Sequence, residues 1–153
     1  MISVNKKLAF VAEILTFLGC LVGLVGAGVK IYNNEAGILG YVFLSIPFFY
    51  FLSGTIIAAN LIFNIEKSRR LFIWFWSSQI PVLNSSYLSF HAVTGAFCAF
   101  WIRLDELDIG LGFGIASQFQ FDLMVEGPTA IGINIFAVAM TLFMNAGFLE
   151  REK

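Results

Sequence analysis

The chain is a succession of apolar runs separated by short charged clusters, and the runs differ in their period. Residues 8–29, "LAFVAEILTFLGCLVGLVGAGV", hold a single charge, Glu13, between Lys6/Lys7 and Lys30/Tyr32. At 1.5 Å per helical residue this run is long enough to cross the ~30 Å of a bilayer's hydrocarbon core. The segment "NNEAG" at 33–37 allows only an antiparallel return. Residues 38–65 are uncharged and longer than a perpendicular span requires, which predicts a tilted helix with a kink at Pro47. The cluster "EKSRR" at 66–70 follows, then residues 71–80, "LFIWFWSSQI", where Trp74 and Trp76 beside Arg69 and Arg70 predict an interfacial segment with rings at headgroup level.

The period then changes. In "DIGLGFGIASQFQFDL", Ile109, Leu111, Phe113, Ile115, Phe119, Phe121 and Leu123, with Ser117 the exception among odd positions, alternate with Gly110, Gly112, Gly114, Ala116, Gln118, Gln120 and Asp122. A helix cannot sort two such sets onto separate faces, whereas a strand does so at every residue. The preceding stretch, "YLSFHAVTGAFCAFWIRL", is rich in aromatic residues, and "DELD" at 105–108 supplies a polar turn, so a β-hairpin over 87–123 is expected. The alternative is four transmembrane helices, with residues 83–102 as the third, against which stand the polar residues Asn84, Ser85, Ser86, Ser89, His91 and Thr94. Residues 129–149, opened by Gly127 and Pro128, predict a last transmembrane helix.

The expected architecture is therefore an α-helical integral membrane protein in a single domain over 1–153. It has three transmembrane helices and a membrane-proximal β-hairpin between the second and third. Composition agrees: 59% of residues are hydrophobic and 12% are charged, about half the charged share of a soluble domain. The basic residues Lys6, Lys7, Lys67, Arg69 and Arg70 place the N-terminus and the hairpin on the cytoplasmic side, in a multi-pass protein of the inner membrane if the source is bacterial. An odd number of spans then puts the C-terminus on the far side. The first run is expected to be a retained anchor. Phe17 and Leu18 suit a lipoprotein cleavage box at Cys20 poorly, and Glu13 interrupts the apolar stretch.

Candidate chemistry is sparse. Lys/Arg and Asp/Glu number 9 and 10, which excludes the basic surface of a nucleic-acid binder. His91, the single histidine, lacks ligand-spaced companions, and Cys20 and Cys98 show no metal or redox spacing, so no metal, cofactor or catalytic residue is assigned. Gly110, Gly112 and Gly114 lack the GxGxxG spacing of a nucleotide loop. On a strand they leave one face flat, open to close approach by another backbone. Gly19 and Gly23 form a GxxxG pair, and Gly54 and Ala58 a second small-residue pair, suited to packing the first helix on the second. Glu13 is a candidate functional carboxylate within the membrane. The function expected is that of a small non-catalytic membrane subunit, with the bilayer and either further copies or other membrane proteins as partners. Two alternatives are a pore-forming or membrane-permeabilising effector and an immunity protein binding a membrane-active partner. Assembly is assigned to Gly110, Gly112, Gly114, Gly19 and Gly23, because a lone two-stranded ribbon is marginal in water and its edges and flat face invite another chain.

Overall fold

The computed structural model describes residues 6–33, 37–63, 68–124 and 127–149, with side chains from 9 to 146. Part of the 33–37 turn, Asn64, Lys67, the side chains of Lys6 and Lys7, and the charged tail at 150–153 lie outside the described residues. Helix α1 (Lys6–Tyr32) and helix α2 (Gly37–Ile62) form an antiparallel pair. Both are long and apolar enough to span a membrane. The short helix α3 (Ser68–Ser77) follows, then strands β1 (Pro81–Asn84), β2 (Leu88–Arg103), β3 (Asp108–Leu123) and β4 (Ala130–Asn134), and helix α4 (Ile135–Leu149).

The side chains of α1 sort in the reverse of the soluble pattern. Its buried positions are Ala12, Thr16, Gly19, Cys20, Gly23 and Ala27, all small. Its exposed positions include Val11, Leu15, Leu18, Val22, Val25 and Val29, an apolar stripe at helical spacing. Helix α2 buries Phe51, Gly54, Ala58 and Leu61. The core lies where all four helices meet, with Cys20, Ala58, Leu61, Phe72, Phe75, Trp76, Ala137 and Met144 packed together. Helix α3 coincides with the expected interfacial segment but divides its tryptophans, Trp74 outward and Trp76 into the core.

The hairpin expected over 87–123 is present as β2 and β3, paired without interruption from Leu88↔Leu123 to Arg103↔Asp108. The four-helix alternative fails here, since residues 88–103 are strand. Leu107, at a left-handed φ of 51°, closes the turn, which Arg103 brackets with Glu106 at 2.9 Å and Asp108 at 3.6 Å. These pairs are exposed and contribute little to stability.

Two expectations are corrected. First, the run 129–149 is not one helix. Ala130–Asn134 is strand, and the 15-residue α4 begins only at Ile135. Asn134 divides them: its Oδ1 accepts the Ala137 N–H at 3.3 Å, an N-cap within an otherwise apolar run. Second, the hairpin is not a lone ribbon. Strand β1 pairs with the first part of β2 and with β4, and β4 pairs with the last part of β2. Three mutually antiparallel partners cannot lie flat, so β2 curls around the β1–β4 pair. Gly95, at φ +81° near the middle of β2, supplies a backbone conformation that other residues rarely adopt.

Candidate assembly surface

Each expected assembly residue has a definite partner. Gly19 is the central residue of α1, and there the helix meets the hairpin: a Cβ on it would come within 2.9 Å of the Gly95 nitrogen. Ser117 Oγ donates to the Gly19 carbonyl at 2.6 Å, so both strands hold the helix at this point. Gly23, one turn on, receives the Phe51 ring of α2. Gly54 receives Cys20 and Phe75. Gly23 and Gly54 therefore each take a side chain from the other long helix, as expected for packing α1 on α2, while Gly19 seats strand β2.

Gly110, Gly112 and Gly114 were expected to leave a flat face for another chain. That face is occupied from within. Trp101, opposite Gly110 in register, lies over Gly110 and Gly112, and Phe97 lies over Gly114. An aromatic ring over a cross-strand glycine fills the missing side-chain volume and pins the register. His91 sits on the same side of β2, its ring edge-on to Phe97 at 6.3 Å. Burial lowers the His91 pKa below the ordinary histidine value, which keeps the imidazole neutral near pH 7. Glu13 is half-buried on α1. Among the described residues no group of three or more His, Cys, Asp or Glu side chains is placed to hold a metal ion.

The opposite face of the sheet is the open one. Ile109, Leu111, Phe113 and Ile115 are 63%, 62%, 82% and 90% exposed. Ile131 and Ile133 of β4, facing Ile102 and Phe100 in register, extend the same apolar face and are exposed too. The face adjoins a groove of about 730 Å³ between α1, α4 and the middle of the hairpin, whose lining includes Leu15, Val22, Ile115, Phe136 and Met140 and no charged side chain. Residues 117–122 of β3 share a second groove, of about 410 Å³, with α1 from Gly23 to Lys30 and α2 from Phe43 to Phe51.

The two edges of the hairpin are unlike. Along β2 the outer edge is closed at its ends by β1 and β4. Between them two side chains continue the closure: Thr94 N–H donates to Gln79 Oε1 at 2.8 Å, and Cys98 N–H to Asn134 Oδ1 at 3.3 Å. Neither Gln79 nor Asn134 stood out as functional in the sequence; the signal available was a carboxamide within or beside an apolar run. Strand β3 pairs with β2 and, among the described residues, with no other strand. Thr94 and Cys98 point their amides away from β3. Opposed residues of an antiparallel ladder either both face each other or both face away. Their partners Ser117 and Phe113 therefore present backbone groups to the outer edge of β3, as do the other odd-numbered residues from Ile109 to Phe121. No family model, curated protein or solved structure matches this chain.

Proposed function

We propose that this chain is a small non-catalytic subunit of a membrane, anchored by α1 and α2, that assembles with further copies or with other membrane proteins through its sheet. The observation that carries the membrane part is the sorting of α1, with small residues inward and Val11, Leu15, Leu18, Val22, Val25 and Val29 outward. In water, that stripe would stay exposed at a cost of about 25 cal/mol per Å² of apolar surface. In lipid the same arrangement is favourable, because helices there associate through small residues while large apolar ones face the acyl chains. The assembly part rests on the open apolar face and the free edge of β3. The buried polar side chains support a structural role: Gln79 and Asn134 accept from strand amides, and Thr16 Oγ1 donates to Ala12 and accepts from the Trp76 indole.

A third span over 129–149 is not part of this proposal. Helix α4, at about 1.5 Å per residue, is well short of the ~30 Å hydrocarbon core. The test is Val22→Asp. On a membrane helix an aspartate near the centre costs about 2.5–3.5 kcal/mol of insertion free energy, so the carbonate-resistant fraction should fall sharply relative to wild type. Val22 is exposed, so in a water-soluble fold the same change would be harmless. Full recovery of both proteins in the carbonate-soluble fraction would end the membrane reading.

A further inference from the structure

We propose that the outer edge of β3 pairs antiparallel with the same edge of a second copy of this chain, across a two-fold axis at Gly112. The proposal rests on the reading of the chain as an assembling subunit and names its partner and geometry.

The contrast between the edges excludes the other way of joining hairpins. A head-to-tail ring would need the β3 edge of one copy to meet the β2 edge of the next. That β2 edge is taken by β1, β4, Gln79 and Asn134. Only β3 with β3 remains, and such a contact is isologous and closes as a dimer.

The β3 edge also lacks what normally protects one. Native edges carry lysines, prolines, bulges or inward charges. In β3 the only charges are Asp108 and Asp122, near its two ends, and the strand has neither proline nor lysine nor a break in its register with β2. The exposed side chains Ile109, Leu111, Phe113 and Ile115 belong to residues whose backbone groups face outward.

Register follows from the same residues. An axis at Gly112 sets Ile109 against Ile115 and Leu111 against Phe113, so all four exposed side chains meet one another. Asp108 then faces Ala116 and not a second aspartate. Moving the axis to Leu111 or Phe113 brings Leu107 or Ser117 into the set. With the axis at Gly112 the odd-numbered residues occupy the hydrogen-bonded positions, as their outward backbone groups require.

Proline separates edge pairing from side-chain contact. At position 111 the lost N–H faces outward, so Leu111→Pro leaves the β2–β3 ladder intact and blocks a partner strand. Leu111→Ala keeps the N–H. In mild detergent the wild type and Leu111→Ala should migrate as dimers and Leu111→Pro as a monomer, at least tenfold weaker in association. A Leu111→Pro dimer of unchanged affinity overturns the proposal. A second measurement covers misfolding of that variant. In a Cys98→Ala background, a mixture of Ile109→Cys and Ile115→Cys chains should give a disulfide-linked dimer in native membranes, and neither variant alone should, since paired Cα atoms lie ~5.5 Å apart and the like positions ~20 Å. No product from the mixture, or equal product from single variants, overturns the pairing. If that happens while the wild type stays carbonate-resistant, only this inference falls. If the chain washes free in carbonate, the membrane reading falls, and the same cross-link, taken on the soluble protein, decides the edge separately.

Discussion

Trp101 and the glycines beneath it carry the first prediction. A side chain at Gly110 would enter the space held by the Trp101 indole, and one at Gly112 would approach the same ring at 3.0 Å. Gly110→Val should therefore destabilise the folded chain by about 1–3 kcal/mol, although valine has the higher strand propensity. The check is thermal unfolding of Gly110→Val, Trp101→Ala and the double variant. Loss of the ring should relieve the valine, leaving the double variant more stable than the two separate costs predict. Strict additivity would mean that the ring does not occupy the glycine's space. His91 gives a second prediction. Its folded pKa lies below the unfolded value near 6.5 because burial disfavours the charged ring. The unfolded chain then binds more protons than the folded one just below pH 6.5, so stability should fall as pH drops from 7 toward 5. His91→Gln should flatten that part of the profile. A wild-type profile with no decline over this window would contradict it.

At the scale of elements, the parts legible in the sequence were those with an unambiguous period. The alternation from Ile109 to Leu123 predicted β3, and the charged "DELD" placed the turn within one residue of its position at 104–107. The long apolar runs, one with a single charge and one with none, predicted α1 and α2. What failed was the run 129–149, where apolar residues are so dense that periodicity is masked. Inside it, Ile131 and Ile133 are exposed while Gly132 and Asn134 are buried, a two-residue period too short to stand out. Strand β1 was missed for a related reason: four residues at half-burial hold no pattern, and their pairing with β4 spans the whole hairpin in sequence. The rings over the glycine face come from the neighbouring strand, which the pattern of β3 alone does not show. Asn134 joins these elements, capping α4 and closing the β2 edge with one carboxamide oxygen. Asn134→Ala removes both bonds and should cost about 1–3 kcal/mol, against about 0.5–2 kcal/mol for a helix cap alone. Chemical denaturation measures this, and a change below ~0.5 kcal/mol would show that water replaces both contacts.

For the whole molecule, the division of the 129–149 run changes the expected topology. Three spans would have placed the two ends of the chain on opposite sides of the bilayer. With α4 at 15 residues, two helices among the described residues are long and apolar enough to cross. Their antiparallel packing puts the start of α1 and the end of α2 on one side. Helix α3 starts soon after α2 ends, and Arg69 near its start donates to the carbonyl of Met144 at 3.4 Å. The last turns of α4 are thereby held beside the end of α2, on the side where α1 begins. Lys6, Lys7, Lys67, Arg69 and Arg70 all belong to this side in sequence, against Lys30 on the other, and basic residues favour the cytoplasm. Reporter fusions to the two ends should therefore both read cytoplasmic, and a fusion inserted in the α1–α2 turn should read the opposite compartment. A far-side reading at the C-terminal end alone would require α4 to extend through the bilayer, which its strand start at Ala130–Asn134 and its contact with Arg69 oppose. Asn134→Leu offers an internal control, since it leaves 129–149 uncharged and lengthens its apolar stretch while removing the cap. If the placement of the C-terminal end is set by that cap and by β4, this variant should move a measurable fraction of C-terminal reporters across the membrane while the N-terminal reporter stays cytoplasmic.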